Sequence, residues 1–429
     1  MEWLNYEIVA LCAVLITPLI FTPKRLANPY FLLAGNVVLF FVLKYVFNTI
    51  FNIDFLLDVE KTDIDIELWY FIAYITTAYL TSMLFIYMNN IKHINFSYTY
   101  LVNNKAYFTS ILLPIALVLI VIFAMDINPL IQSILVRRFT QAKGMFYILA
   151  VILFLINLMV VDLLQCIFLA KKRPPSKLIF ATIICFGYAV ISGYASTIVS
   201  GFICFVIFMS AYKKLKVELY VVLIMPLIML YAVIHNQFRL LNLNDKISFI
   251  EIIGKININA ELLVNIFNRF DYLEMYVKGH QLVKTMEPDM GLSMLTAIIQ
   301  FIPRAFWPDK PLNTSSFFSN QIIPNVMEEA GSTANFNSLN EFSRSLGPIS
   351  GVLVGGVLFG LLLGWAYLEY RKSLNDQYCS LYYSLIVCQF ITLGFSAGFI
   401  NDVAIQVFII NLLLFKIFIS RQNVNPLSQ

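Results

Sequence analysis

Residues 346–368 read LGPISGVLVGGVLFGLLLGWAYL, without a charged side chain from end to end. A helix needs about 20 predominantly apolar residues to cross the hydrocarbon of a bilayer, and this run is that long. Gly347, Gly351, Gly355, Gly356, Gly360 and Gly364 fall within it. They recur mostly every four or five residues, a spacing that lets a second helix pack closely. The stretch therefore predicts a membrane-spanning helix with a contact face of small residues.

The rest of the chain repeats this pattern. Of its 429 residues, 60% are hydrophobic and 13% charged. A soluble domain carries roughly 25% charge and about 45–50% apolar residues, so a water-soluble fold is excluded. Further apolar runs cover about 5–22, 29–51, 68–89, 107–127, 145–169, 177–193, 196–212, 218–236, 379–399 and 402–419. The expected fold class is all-α, a polytopic membrane protein with about eleven spans. Tyr6 to Phe21 lacks a basic lead-in and is followed by Lys24 and Arg25, so it reads as the first span and not as a signal peptide. Pro29 is a good first residue for the second span. Before the third span lies a stretch read as an acidic loop, with Asp54, Asp58, Glu60, Asp63, Asp65 and Glu67.

Basic residues concentrate in one alternate set of connections: Lys24 and Arg25; Lys92 and Lys105; Lys171, Lys172, Arg173 and Lys177; Lys213, Lys214 and Lys216; Arg371 and Lys372; and Arg421. The opposite short connections hold only Lys61, Arg137, Arg138 and Lys143. By the positive-inside rule the first set is cytoplasmic. The N-terminus is then outside and the C-terminus inside. The chain divides into spans over 1–236, a long outer segment over 237–345, and the last spans over 346–429.

The outer segment holds the residues suited to chemistry. In Phe301-Ile302-Pro303-Arg304-Ala305-Phe306-Trp307-Pro308-Asp309-Lys310-Pro311 the prolines forbid a continuous helix and stiffen the backbone. Arg304 and Lys310 are held close to the rings of Phe306 and Trp307. A guanidinium takes phosphate oxygens two at a time and an ammonium adds a point charge, while aromatic faces stack on sugars. The competing reading is an interfacial anchor, because Trp and Arg favour the headgroup zone.

Upstream, Asn268-Arg269-Phe270-Asp271 leads into an apolar stripe at helical spacing, Leu262, Ile266, Phe270, Leu273 and Val277, with His280 beyond. Arg269 on or beside that stripe needs either a paired acid, such as Glu341, or a bound anion. Downstream, Asn337-Ser338-Leu339-Asn340-Glu341-Phe342-Ser343-Arg344 leads into the glycine span. Glu341 reads either as a helix-start acid or as a general base.

Several chemistries find no support. The chain has no phosphate-binding glycine loop, no HExxH and no DxD pair. Neither ATP use nor a metal is expected, and no cofactor. Cys12, Cys166, Cys185, Cys204, Cys379 and Cys388 all lie in or beside apolar runs without CxxC spacing, and read as small membrane residues. A net charge of +4 gives no reason to expect nucleic acid. Asp162 and Lys44 lie within spans, where a charge is a functional hypothesis. No series of acids crosses several spans, which weakens a proton-coupled transporter reading.

The layout of spans, with "NRFD", "IPRAFWPDKP" and "LNEF" in this order before a glycine-rich span, resembles the Wzy-type O-antigen polymerases of Gram-negative bacteria. The agreement covers about residues 265–365; elsewhere only topology is similar. At the hairpin Ser192-Gly193-Tyr194-Ala195-Ser196, where many relatives carry an arginine, this chain has no base, and no role is carried over there. The resemblance implies a GT-C-like membrane glycosyltransferase of the bacterial inner membrane. It would move a growing glycan from one undecaprenyl diphosphate onto a repeat unit held on another, at the periplasmic face. The implied partners are this lipid-linked oligosaccharide, membrane lipid and a polysaccharide chain-length regulator.

In that reaction the leaving diphosphate gains negative charge, which cations placed in advance stabilise. Arg269, Arg304 and Lys310 are the expected diphosphate ligands, assisted by Arg344 or Arg138. Glu341 is the first choice of base, with Asp271 and His280 behind it. Phe306, Trp307, Asp271 and His280 are the residues expected at the glycan. An O-antigen ligase shares the topology and is the nearest alternative; a lipid-linked oligosaccharide flippase should instead spread charges through its spans. Arg304→Ala is expected to leave folding intact and abolish long chains; normal long-chain ladders from cells holding only this variant would remove Arg304 from the site.

Overall fold

The computed structural model describes residues 6–22, 27–42, 45–46, 59–89, 97–100, 206–208, 210, 272–294, 312, 314–324, 336–374, 383 and 419–422. Their regular elements are helices and one short ladder. The helices are α1 (Tyr6–Phe21), α2 (Pro29–Val37), α3 (Lys61–Asn89), α4 (Leu273–Lys284), α5 (Thr314–Ile322), α6 (Ser338–Leu346) and α7 (Pro348–Ser373). Strands β1 (Ser97–Tyr100) and β2 (Ile419–Gln422) pair antiparallel, from Ser97 opposite Gln422 to Tyr100 opposite Ile419. The described residues are thus predominantly helical, as the all-α expectation has it. The two segments of the ladder lie at or beyond the ends of apolar runs and hold Tyr, Thr and Ile, residue types that favour extended chain.

Among the described residues two helices are long and apolar enough to cross a membrane, Thr62–Asn89 and Pro348–Ser373. The remaining expected spans, apart from the first and the start of the second, lie essentially outside the described residues, as do Asp162 and Lys44. Helix α2 begins where Pro29 predicts it, with Asn28 as its cap: the Asn28 side-chain oxygen accepts from Tyr30 N at 3.1 Å. It then widens into a π-helical turn, Val38–Val42.

The start of α3 corrects the sequence reading. The expected span begins at Leu68, yet the helix begins at Lys61, so Asp63, Asp65 and Glu67 are helical and not in a loop. The Glu60 carbonyl accepts from Asp63 N at 3.1 Å and Ile64 N at 3.2 Å. Acids in a first turn are favoured by the helix dipole. Ile64, Glu67, Leu68, Phe71, Tyr74, Ile75, Ala78 and Ser82 form its buried face, in helical phase, while Ile66, Trp69, Leu80, Leu84 and Tyr87 point outward.

Helices α3 and α7 run parallel, because their contacts rise together along both chains. A Cβ on Gly356 would lie 2.8 Å from Thr77 Cβ, one on Gly360 would strike the Ala78 carbonyl, and one on Gly364 would lie 2.9 Å from Phe85 Cδ1. The glycine face expected from sequence is therefore this seam. Helix α2 runs the other way. Its Tyr30 hydroxyl meets Ser82 late in α3, and Phe41, in the π-helical turn that follows, stacks on Phe71 early in α3, with centroids 4.4 Å apart.

The contacts sort onto two ends of the bundle. At one end, Ala27 N donates to Ser210 Oγ at 3.1 Å and the Tyr383 hydroxyl donates to the Ala27 carbonyl. The rings of Tyr79 and Tyr367 pack on Tyr30 there, at 5.5 and 5.4 Å. At the other end α4, α5 and α6 gather around the starts of α3 and α7. Gly360→Val is expected to cost about 1–3 kcal/mol by overpacking, read as a lower melting temperature of the purified protein in detergent. Gly35→Ala is the matching control, since nothing lies within 4 Å of its Cβ position, and it should melt as the parent does.

Candidate functional site at one end of the bundle

Helix α6 carries Glu341 and Arg344, and its start is fixed by asparagines. The Asn337 side-chain oxygen accepts from Leu339 N at 2.9 Å, and Asn340 Oδ1 accepts from Asn337 N at 3.1 Å. Together they form a capping box. Glu341 therefore is not what closes the helix start. It is 1% exposed, one turn before Arg344. At the other end Gly347, with φ 91°, breaks the helix and Pro348 begins α7. The two helices touch because Gly351 and Gly355 leave room: a Cβ on Gly355 would lie 2.6 Å from the Phe342 ring.

Arg344 is held on two sides. Its Nε forms an ion pair with Asp289 Oδ2 at 3.3 Å, and its Cζ lies 3.6 Å from the centre of the Phe317 ring on α5. Its Nη1 is buried and makes no hydrogen bond. Burial lowers the guanidinium from its ordinary value, and the charges of Asp289 and Glu341 oppose this. The Asp289 turn is itself pinned to α6: Asp289 N donates to the Arg344 carbonyl at 3.1 Å and Gly291 N to the Ser345 carbonyl at 3.2 Å. Met290 and Gly291 adopt positive φ there, at 51° and 87°.

Helix α4 lies between α6 and α3. The expected stripe is buried where described, at Leu273 and Val277, and Tyr276 and His280 are fully buried beside it. His280 Nδ1 bonds to Glu67 Oε2 on α3, and Lys284 Nζ lies 2.6 Å from Glu67 Oε1. The Tyr276 hydroxyl donates to the Glu67 carbonyl at 2.7 Å. Lys284 also sits 4.6 Å from the Tyr70 ring centre. Burial first, then the charge of Glu67 and the nearby Tyr70, pushes the Tyr276 hydroxyl well above its usual value. Towards α6, Asn340 Nδ2 donates to the Tyr276 carbonyl at 3.0 Å. Gly279 leaves space for this, since a Cβ there would lie 2.6 Å from Asn340 Nδ2. From α3, the Tyr74 hydroxyl reaches Ser338 Oγ at 3.2 Å.

Of the residues singled out from sequence, Glu341, Arg344 and His280 come together at this end, on adjacent helices. His280 is enclosed by Glu67, Tyr70 and Tyr276, so in this structure it faces a carboxylate and rings and not an open glycan surface. Arg138, Arg269, Asp271, Arg304, Phe306, Trp307 and Lys310 lie outside the described residues, and the possible Arg269 pair with Glu341 goes with them. Sequence reasoning missed Glu67, Lys284, Asp289 and Phe317. For Glu67 a signal was present: it falls in helical phase with Ile64, Phe71 and Tyr74. Among the described residues no group of three His, Cys, Asp or Glu is placed to hold a metal ion.

No family model, curated protein or solved structure matches this chain.

Asn337→Ala, which removes the cap of α6, is expected to cost about 1 kcal/mol, seen as a lower melting temperature, with Asn337→Asp close to the parent.

Proposed function

We propose that this chain is a polymerase of undecaprenyl-diphosphate-linked O-antigen repeat units. The observation that carries the reading is a buried acid and a half-buried cation, Glu341 and Arg344, one turn apart on a capped helix beside the starts of two membrane-capable helices. The segment is the one whose sequence, "LNEF" before a glycine-rich span, resembles the Wzy-type family.

In the proposed reaction the bond between the anomeric carbon of the growing glycan and its diphosphate oxygen breaks. A new bond forms from that carbon to a hydroxyl oxygen of the acceptor repeat unit, and the acceptor proton passes to a protein base. The diphosphate leaves with the extra negative charge. Arg344, with Arg269, Arg304, Lys310 and Arg138 from the rest of the outer segment and loops, would stabilise that charge as it develops. Glu341 is the base in this reading. Trp307 and Phe306 would stack on the sugars. No cofactor or metal is invoked.

The setting proposed is the bacterial inner membrane, with a GT-C-like architecture, about eleven spans, N-terminus periplasmic and C-terminus cytoplasmic. The parallel course of α3 and α7 is what the third and ninth of a series of alternating spans require. The chain-length regulator is the expected protein partner.

Deletion followed by complementation tests the proposal, scored by lipopolysaccharide banding. Deletion should leave core plus one repeat unit, the parent gene should restore the ladder, and Glu341→Gln should not, although its product accumulates in the membrane. Bare core with polymer left on the lipid carrier would make the protein a ligase instead. A native ladder with Glu341→Gln would place the base elsewhere.

A further inference from the structure

Glu67 belongs to no motif, yet it is heavily engaged. It sits on α3 at 2% exposure, with both carboxylate oxygens committed: Oε2 to His280 Nδ1, and Oε1 to Lys284 Nζ at 2.6 Å. Its carbonyl is committed as well, to the Tyr276 hydroxyl at 2.7 Å. All three partners lie on one face of α4. A buried carboxylate is costly unless paired and hydrogen-bonded. Here the bonds that satisfy it also fix both the rotation and the height of α4 on α3.

The fixation continues to the next helix. The Tyr276 carbonyl accepts Asn340 Nδ2 at 3.0 Å, and Asn340 is half of the box that starts α6, with Glu341 next in sequence. Gly279 lets the two helices close to this distance. A single line of bonds thus runs from Glu67 through Tyr276 and Asn340 to the helix that carries Glu341 and Arg344. Helix α6 has a second tie to α3, between the side-chain hydroxyls of Ser338 and Tyr74. Rotating α4 would break the first tie and leave the second as a pivot.

We infer that Glu67, acting through His280, Lys284 and Tyr276, is a positioning residue that sets Glu341 and Arg344 for group transfer. This rests on the polymerase reading above. His280 in this arrangement is a hydrogen-bond donor to Glu67 and does not itself exchange a proton with substrate. The useful atom is Nδ1, and an asparagine amide can stand close to the same place.

Membrane vesicles from a strain lacking the chromosomal gene, supplied with the lipid-linked repeat unit that strain accumulates, give turnover and KM separately. His280→Leu removes the bond to Glu67. It should lower turnover on the order of 10²-fold, the cost of a misplacement of about 1 Å, with KM little changed. His280→Asn should recover turnover to within a few fold. A folded His280→Asn as inactive as His280→Leu would overturn the inference and make the imidazole itself the proton carrier. Full activity in His280→Leu would overturn it too.

If His280→Leu does not accumulate, Tyr276→Phe carries the test, since it deletes only the hydroxyl bond to the Glu67 carbonyl. It should lower turnover at unchanged KM and unchanged melting temperature, and parental turnover would count against the inference. Parent vesicles that make no polymer would instead remove the polymerase reading, a result separate from either of these.

Discussion

The close approach of α3 and α7 is the constraint from which the described architecture follows. Within a bilayer, helices gain little from leaving lipid, so their association depends on van der Waals fit. Glycines at 356, 360 and 364 bring the α7 backbone against Thr77, Ala78 and Phe85. The same helix turns its earlier glycines, 351 and 355, toward Phe342 on α6. One stripe of missing side chains therefore supports both a long seam between membrane-capable helices and the docking of a short helix at its end. The opposite face of α7, with Ile349, Leu353, Val357 and Leu361, stays exposed, as a surface that meets acyl chains would.

The polar end is built in a different way. Helices α4 and α6 are short, and helices of that length are marginal without tertiary support. Their support is a set of contacts around a few buried or half-buried groups: Asn337 and Asn340 at a cap, Glu67 among His280, Lys284 and Tyr276, and Arg344 between Asp289 and Phe317. Glycine contact tolerates sliding along the seam, whereas hydrogen bonds do not. The proposed chemistry thus sits where geometry is fixed by angle as well as by volume.

Legibility in the sequence follows this division. The glycine span, the start of α2 at Pro29 and the stripe through Leu273 and Val277 were readable, because periodicity and proline act locally. The early start of α3 was not. Three acids within a few residues suggest a solvated loop, and only a distant partner makes Glu67 tolerable inside a helix. That partner is more than 200 residues away: His280 and Glu67 are separated by 213 positions. Asp289 escaped notice for the same reason, since its value lies in Arg344, and Glu341 could be read as a helix-start acid or as a base; it lies in the first turn of α6, whose cap is made by Asn337 and Asn340. Residue type marked Glu341, Arg344 and His280 as chemically notable, but it did not reveal what each one faces.

The small ladder between β1 and β2 has a consequence for how the chain is made. Its strands pair Ser97 with Gln422 and Tyr100 with Ile419. A ribosome adds roughly 5–20 residues per second, so the first strand emerges on the order of tens of seconds before its partner exists. During that interval its backbone donors and acceptors must be met by water or by a temporary neighbour. Closure of the ladder is therefore among the last events of biogenesis, and it joins an early turn of the chain to a late one only after the intervening helices have been made.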